Sequence, residues 1–338
     1  RPWFGALKAL AAEHGLTTVF RDSRTAAIVR KESGLDCITL ANYGQLDQIL
    51  ASSDVKLALY VNHDPVNFEA LRFTSLVHVY LGHGDSDKGV SVSNQVKAYD
   101  FCFLAGQAAQ DRTSAAVMLY DAADRSVLVG QPSLDVAAPR SNPDPRRQTV
   151  LYAPTWESSQ PSVSYGSAIT HGAKVLDALA QKYRVIYRPH PLNGIIDQAY
   201  GAADAALRAN ADRVDTDVSL AQSFADADLL ITDVSAVTLN WLPTKKPVLV
   251  CRPLVPIPPS RLMSVLPLLE ANADIAAEVD AALADDRTKA ARIELIDYYL
   301  GDTSPGVATE KFLAACTETI DLRDRLRAEK QDQGATGP

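Results

Sequence analysis

Short apolar runs of strand type recur along this 338-residue chain, and each gives way to a turn or a helical pattern. Thr17-Thr18-Val19-Phe20 and Cys37-Ile38-Thr39-Leu40 are the first two, followed by residues 56–61, 76–81 and 100–104. Helices are expected over about 43–51 and from 104 through about 119. Val127-Leu128-Val129 then ends in the turn signal Gly130-Gln131-Pro132. Further strands are expected at Thr149-Val150-Leu151-Tyr152, Arg184-Val185-Ile186-Tyr187, Leu229-Leu230-Ile231 and Pro247-Val248-Leu249-Val250. A helix over 167–182, with Ala173, Leu176, Leu179 and Ala180 on one face, another between the last two strands, and a helical region over 273–321 complete the pattern. Short apolar strands separated by helices form βαβ units, so the fold class is α/β with mostly parallel sheets. No repeat of solenoid length is present.

The alternation breaks once. Residues 137–148, AAPRSNPDPRRQ, combine three prolines with several charges and few apolar side chains, which reads as a linker. The expected organisation is therefore two doubly wound, Rossmann-like domains, over 1–140 and 141–322, facing one another across a cleft. A charged tail follows over 323–338, expected to be disordered toward its end. A cleft between two such domains suits a nucleotide-linked substrate.

Composition narrows the function classes. A hydrophobic content of 47% with 22% charged residues is that of a soluble globular protein. A net charge of −8 argues against a general nucleic-acid binder. Cys37, Cys102, Cys251 and Cys316 are too scattered for a zinc motif. Cys102 and Cys251 sit in apolar runs as buried thiols, which suits a reducing compartment. No apolar run reaches 18 residues, and no signal peptide opens the chain. Because it opens at Arg1 rather than Met, a fragment is expected, from which a membrane anchor could have been removed.

Four short motifs stand where strands end, the place where layered α/β proteins bind ligands. Thr232-Asp233-Val234-Ser235 precedes an apparent helix, whose amides around 234–236, including Ala236, would hold a pyrophosphate with Ser235 as a hydroxyl donor. In Arg188-Pro189-His190-Pro191 the two prolines stiffen the backbone, Arg188 offers a planar fork to phosphate oxygens, and His190 can donate a hydrogen bond or a proton. In His83-Gly84-Asp85-Ser86-Asp87-Lys88-Gly89, His83 is the candidate general base and Lys88 steadies phosphate charge. Asp85 and Asp87 leave three roles open: raising the pKa of His83, contacting the acceptor, or recruiting a divalent cation. Tyr152-Ala153-Pro154-Thr155-Trp156 lines the same region, with Thr155 a donor contact and Trp156 either lining or packing. Each motif also has a plain structural alternative, a helix cap or a solvated turn. Together they point to transfer of a phosphate-linked group from a nucleotide donor, with histidines doing the acid/base work.

These residues resemble the CDP-glycerol glycerophosphotransferase family, the teichoic acid polymerases and primases of bacterial cell walls, from about residue 60 to about 315. His83-Gly84 and Lys88 are similar to the family's Trp-His-Gly-Thr-Pro-Leu-Lys at equal spacing. Residues 152–156 match its Tyr-Ala-Pro-Thr-Trp, residues 188–191 its Arg-Pro-His-Pro, and residues 232–235 its Ser-Asp-Tyr-Ser-Ser. Gly130-Gln131-Pro132 with Asp135 resembles Gly-x-Pro-Arg-x-Asp, and Asp302-Thr303-Ser304 is more weakly similar to an Asp-Gly stretch. The chain departs at Leu81-Gly82, where the family has Trp before the histidine. It departs also at Asp85-Ser86-Asp87 for Thr-Pro-Leu, at Glu157 for Arg, and at Ala236 for the second Ser.

The resemblance implies a GT-B fold with an acceptor-side N-terminal domain and a nucleotide-donor-binding C-terminal domain. It implies His83 and His190 as catalytic residues, with Lys88, Thr155, Arg188, Thr232, Asp233, Ser235 and Ala236 around a CDP-polyol donor. The acceptor would be lipid-linked or polymeric, met by a cytoplasmic protein peripheral to the inner face of the membrane. No metal is required by any ligand cluster, no nucleic acid is expected, and oligomeric state is left open. Two alternatives stay open: a GT-B glycosyltransferase using a nucleotide sugar, which would release a nucleoside diphosphate rather than CMP, and a non-catalytic polymer-binding module.

Overall fold

Strands whose residues are apolar on both faces demand cover from both sides, and that sets the architecture. The computed structural model describes residues 2–82, 84–88, 92–136, 138–141, 146–158 and 160–335. The chain divides into two compact units, the first made of residues 1–84, 92–135 and 300–338, the second of 85–91 and 136–299.

In the first unit, α1 (Phe4–His14), β1 (Thr18–Phe20), α2 (Ser23–Ser33), β2 (Cys37–Thr39), α3 (Tyr43–Ala51), β3 (Leu57–Tyr60), β4 (Val77–Tyr80), β5 (Phe101–Leu104), α4 (Gln107–Ala116) and β6 (Ser126–Leu128) follow in order. β1 pairs with β2, and β3-β4-β5-β6 form a second sheet in sequence order; every pairing is parallel. Local chemistry sets the helix starts. Asp22 accepts from the Thr25 amide at 2.8 Å ahead of α2, and Asn42 with Gln45 forms a capping box at α3. Val79, Phe103 and Val129 pack with Trp3, Leu7 and Leu10 into the main core of this unit.

The second unit runs β7 (Thr149–Ala153), α5 (Ala173–Leu179), β8 (Arg184–Tyr187), α6 (Gln198–Asn210), β9 (Arg213–Val214), α7 (Leu220–Asp226), β10 (Leu229–Thr232), α8 (Ala236–Trp241), β11 (Val248–Cys251), β12 (Leu268–Leu269), α9 (Ile275–Ala284), α10 (Lys289–Glu294) and α11 (Ile296–Leu300). Its six parallel strands are ordered β12-β11-β10-β7-β8-β9. Every residue of β7, β10 and β11 is buried, as expected for strands covered on both faces. The chain first builds outward from β7 through β8 to β9, then crosses over to add β10 on the other side of β7. The reversal therefore falls between β7 and β10, and ligands of open α/β sheets bind outside the carboxyl ends of the strands at such a point.

Two expectations differ from the structure. The chain does not stay in its second unit to residue 322: from Leu300 it returns to the first, and α12 (Val307–Ala335) packs there. Phe312, Ala315 and Cys316 join that unit's core, and the Phe312 ring lies 5.4 Å from that of Trp3. The tail expected over 323–338 is helical through Ala335, because Arg, Glu, Lys and Gln are good helix formers and the helix is tied down. Arg323 donates to the Ser75 carbonyl at 3.0 Å, and Lys56 meets Asp324 at 2.7 Å. Residues 336–338 lie outside the described residues. The segment read as a linker begins beside the change of unit at 135/136 and is anchored where it is described: Arg140 makes a two-pronged pair with Asp228 at 2.8 Å, and Ser141 binds Asp226. Residues 137 and 142–145 lie outside the described residues. Among those described, no helix is long and apolar enough to cross a membrane.

Candidate functional site

At the carboxyl ends of β7 and β10 the backbone leaves the sheet, and a buried carboxylate bridges the gap. Asp233, fully buried, accepts from the Thr155 amide at 2.7 Å and the Ser167 amide at 3.1 Å through one oxygen. Its other oxygen has no hydrogen-bond partner among the described residues. Burial pushes this carboxyl up to about 7, against the opposing pull of the Ser167 side chain, of those two amides and of Lys88. Lys88 donates to the Thr155 hydroxyl at 3.1 Å and lies 5.7 Å from the Tyr165 ring centre. Burial lowers its pKa, and the nearby Asp233 acts the other way.

Beside this pair stands Ser235, the residue ahead of α8. It is 9% exposed, makes no side-chain capping bond, and its hydroxyl has no partner among the described residues. A buried hydroxyl left unpaired costs free energy and marks a place where a ligand can supply the missing bond. Ala236, half-buried, opens α8. Thr232 differs from its expected role: its hydroxyl turns into the sheet and donates to the Ala153 carbonyl at 2.7 Å, closing the β7–β10 pairing.

At the end of β8, Pro189 is buried and the side chains on either side of it are half-buried. The Arg188 guanidinium donates through Nη1 to the Val218 carbonyl at 2.8 Å and to the Ser223 hydroxyl at 2.9 Å. Ser223 in turn donates to Asp215 at 2.6 Å, so Arg188 is braced against the segment following β9. The His190 imidazole stacks on Trp156, with centroids 6.0 Å apart and planes 14° apart. Its Nδ1 accepts from the Leu192 amide at 3.1 Å, so in the neutral ring the hydrogen resides on Nε2. Trp156 thus packs on the His190 ring.

Glu157, one of the departures in sequence, puts no charge toward the donor residues. Its buried carboxylate accepts from the amides of Gly194 (3.1 Å), Ile196 (3.1 Å) and Asp197 (3.3 Å). Burial alone would raise its pKa, and these amides outweigh it and hold the carboxyl below its usual range. Asp87 is likewise committed, accepting from the Tyr299 hydroxyl at 2.9 Å, while Asp85 accepts from the Ser86 amide at 3.0 Å. Among the described residues no group of three His, Cys, Asp or Glu is placed to hold a metal ion. His83 lies outside the described residues.

Sequence reasoning missed the frame around Asp233. Ser167 supplies one of its amides, and Tyr200 donates to the Thr155 carbonyl. Gly166 is required there, because a Cβ would fall inside contact distance of the Tyr200 hydroxyl and 3.0 Å from the Thr155 carbonyl. The available signal was the demand itself: a carboxylate at the end of a buried strand must find donors.

The model of the CDP-glycerol:poly(glycerophosphate) glycerophosphotransferase family matches residues 80–253, just over half of the chain, and spans the four motifs at the strand ends. The chain belongs to this family. No curated protein sequence matches it. Among solved structures, this glycerophosphotransferase superposes on the wall teichoic acid polymerase TagF with a TM-score of 0.62 at 11% identity, covering 94% of this chain and 84% of that one. A putative UDP-N-acetylglucosamine 2-epimerase from Listeria monocytogenes gives 0.65 at 14% identity over 95% and 93% of the two chains. The S. aureus MnaA–UDP structure gives 0.65 at 13% over 95% of each. At such identities the likeness shows the fold, which is GT-B.

Proposed function

We propose that this enzyme moves a polyol phosphate, glycerol phosphate in the first instance, from a CDP-linked donor to a hydroxyl of a teichoic-acid-like or capsular polymer. The acceptor hydroxyl attacks the β-phosphorus, a new P–O bond forms, the bond to the bridging oxygen breaks, and CMP leaves. The observation that carries this reading is the unpaired, buried Ser235 hydroxyl together with Lys88, at the strand-order reversal of a chain belonging to this family.

Ser235, Lys88 and the amides at 234–236 would neutralise the diphosphate, and His190 would donate from Nε2 as charge grows on the leaving phosphate. Arg188 adds positive charge from its braced position. His83, assigned on the resemblance, would take the proton of the attacking hydroxyl. Positioning and electrostatics then provide most of the rate, as in phosphoryl transfer generally. Thr155 aims Lys88, and Asp233 fixes the turn that presents Ser235. Neither Asp85 nor Asp87 is needed for a cation in this scheme; Asp85 is kept as an acceptor contact. The acceptor is read as lipid-linked or polymeric and carried at the cytoplasmic face of the membrane.

The test is incubation with CDP-glycerol and CDP-ribitol separately, each with a lipid-linked acceptor. CMP release matched to polyol phosphate incorporation supports the proposal. Release of a nucleoside diphosphate from a nucleotide sugar, with no CMP from either donor, replaces it with glycosyl transfer.

A further inference from the structure

The segment after His190 is held with unusual thoroughness for an exposed loop. Asn193 donates from its backbone to the His190 carbonyl at 3.1 Å and from its side chain to Asp204 at 2.9 Å. Gly194 sits at φ +76°, so close to Gly201 of α6 that a Cβ would enter contact distance of that backbone. Beyond it, the three amides of Gly194, Ile196 and Asp197 converge on the Glu157 carboxylate. Hydrogen bonds to an ionised acceptor are the stronger kind, and three of them on one carboxylate make a clasp. Glu157 directly follows Trp156, the residue on which His190 stacks. One dipeptide therefore grips the histidine twice, by its ring and by its loop.

We infer that Glu157 is a positioning residue for His190: by clasping residues 194–197 it keeps the Leu192 amide on Nδ1, so that Nε2 carries the hydrogen. This rests on the proposed role of His190 as a donor to phosphate. Glu157 does no chemistry itself. Loosening the clasp frees the Leu192 amide to leave Nδ1, the hydrogen then distributes over both nitrogens, and fewer molecules present the donor in the right place. A reacting group misplaced by a fraction of an ångström costs rate more than ground-state binding.

The experiment uses the full chain labelled with 15N-histidine, with His190→Asn serving only to assign one of the six imidazoles. Above the ring's titration, the wild type is expected to show an acceptor-type Nδ1 and a protonated Nε2. In Glu157→Gln the signature is expected to shift toward mixed tautomers, with kcat for CMP release down about tenfold and donor KM within about twofold. Glu157→Asp should recover part of both. If Glu157→Gln does not fold, Gly201→Ala decides: its Cβ would stand 3.3 Å from the Gly194 Cα and push on the loop without touching Glu157. An unchanged His190 signature and unchanged kcat in a folded variant, with only a lower unfolding temperature, would overturn the inference. The imidazole spectrum needs no donor, so failure of the proposed activity would show separately, as absence of CMP in the wild type.

Discussion

Replacing Asp233 with Asn tests the electrostatics of the site through folding stability. The carboxyl titrates at about 7 in the folded protein, against an ordinary value of 3.8, because it is fully buried. Between those values the native state holds a proton that the unfolded chain has released. Stability from this group is therefore fully present below pH 3.8, falls as pH rises, and is lost once pH passes about 7. At 1.36 kcal/mol per pH unit the whole effect is about 4 kcal/mol, and about 2 kcal/mol of it falls between pH 5.5 and pH 8. The Asn carbonyl can still accept from Thr155 and Ser167. Its NH2 takes the place of an oxygen that has no partner among the described residues, at a cost of about 1–3 kcal/mol that does not vary with pH.

The phenols and the thiol nearby do not blur the window. Tyr152, Tyr200 and Cys251, which face Asp233, are all pushed upward by burial, away from it. Lys88, lowered by burial, loses the opposing pull of Asp233 in the variant, so the same pair of proteins is also compared in a Lys88→Met background, which isolates the carboxyl. His78 and His171, both lowered by burial, are common to the two proteins and cancel in the difference. Guanidinium unfolding of wild type and Asp233→Asn at both pH values should show the variant gaining about 2 kcal/mol relative to wild type at the higher pH. A difference that does not change with pH, or that changes in the opposite sense, would refute the reasoning.

Ser235→Ala should leave the unfolding temperature unchanged or raised, since it deletes an unpaired buried hydroxyl, while weakening CDP-glycerol binding about tenfold by calorimetry. Lys88→Met should weaken donor binding by about one to two orders of magnitude at pH 7.5, the loss of a charge-assisted contact to phosphate, measured in the same titration. Gly166→Ala should destabilise the chain by about 2 kcal/mol in thermal unfolding, because the new methyl displaces Tyr200 from the Thr155 carbonyl.

The strands of the second unit were legible because β7, β8, β10 and β11 are short apolar runs bounded by turn residues, and such runs in a chain with helical spacers have few other homes. β12, only two residues long, and α6, rich in Ala and with the charged Asp204 on its buried face, carry too little pattern to read. The end of α12 misled for the opposite reason: its charges suggest solvation, yet its residue types favour helix and its anchors on Ser75 and Lys56 are remote in sequence. Motif positions placed the candidate residues at strand ends, where ligands of open α/β sheets bind. They did not show side-chain direction. Thr232 turns into the sheet, Arg188 braces on Val218 and Ser223, and Glu157 clasps a loop 37 to 40 residues further on. Each of these is settled by a partner distant in the chain.

The most direct measurement is a crystal structure of the chain with CDP-glycerol bound. The diphosphate is expected within about 3 Å of the Ser235 hydroxyl and the Lys88 ammonium, outside the carboxyl ends of β7 and β10. Nucleotide bound elsewhere on the second unit, with Ser235 and Lys88 untouched, would contradict it.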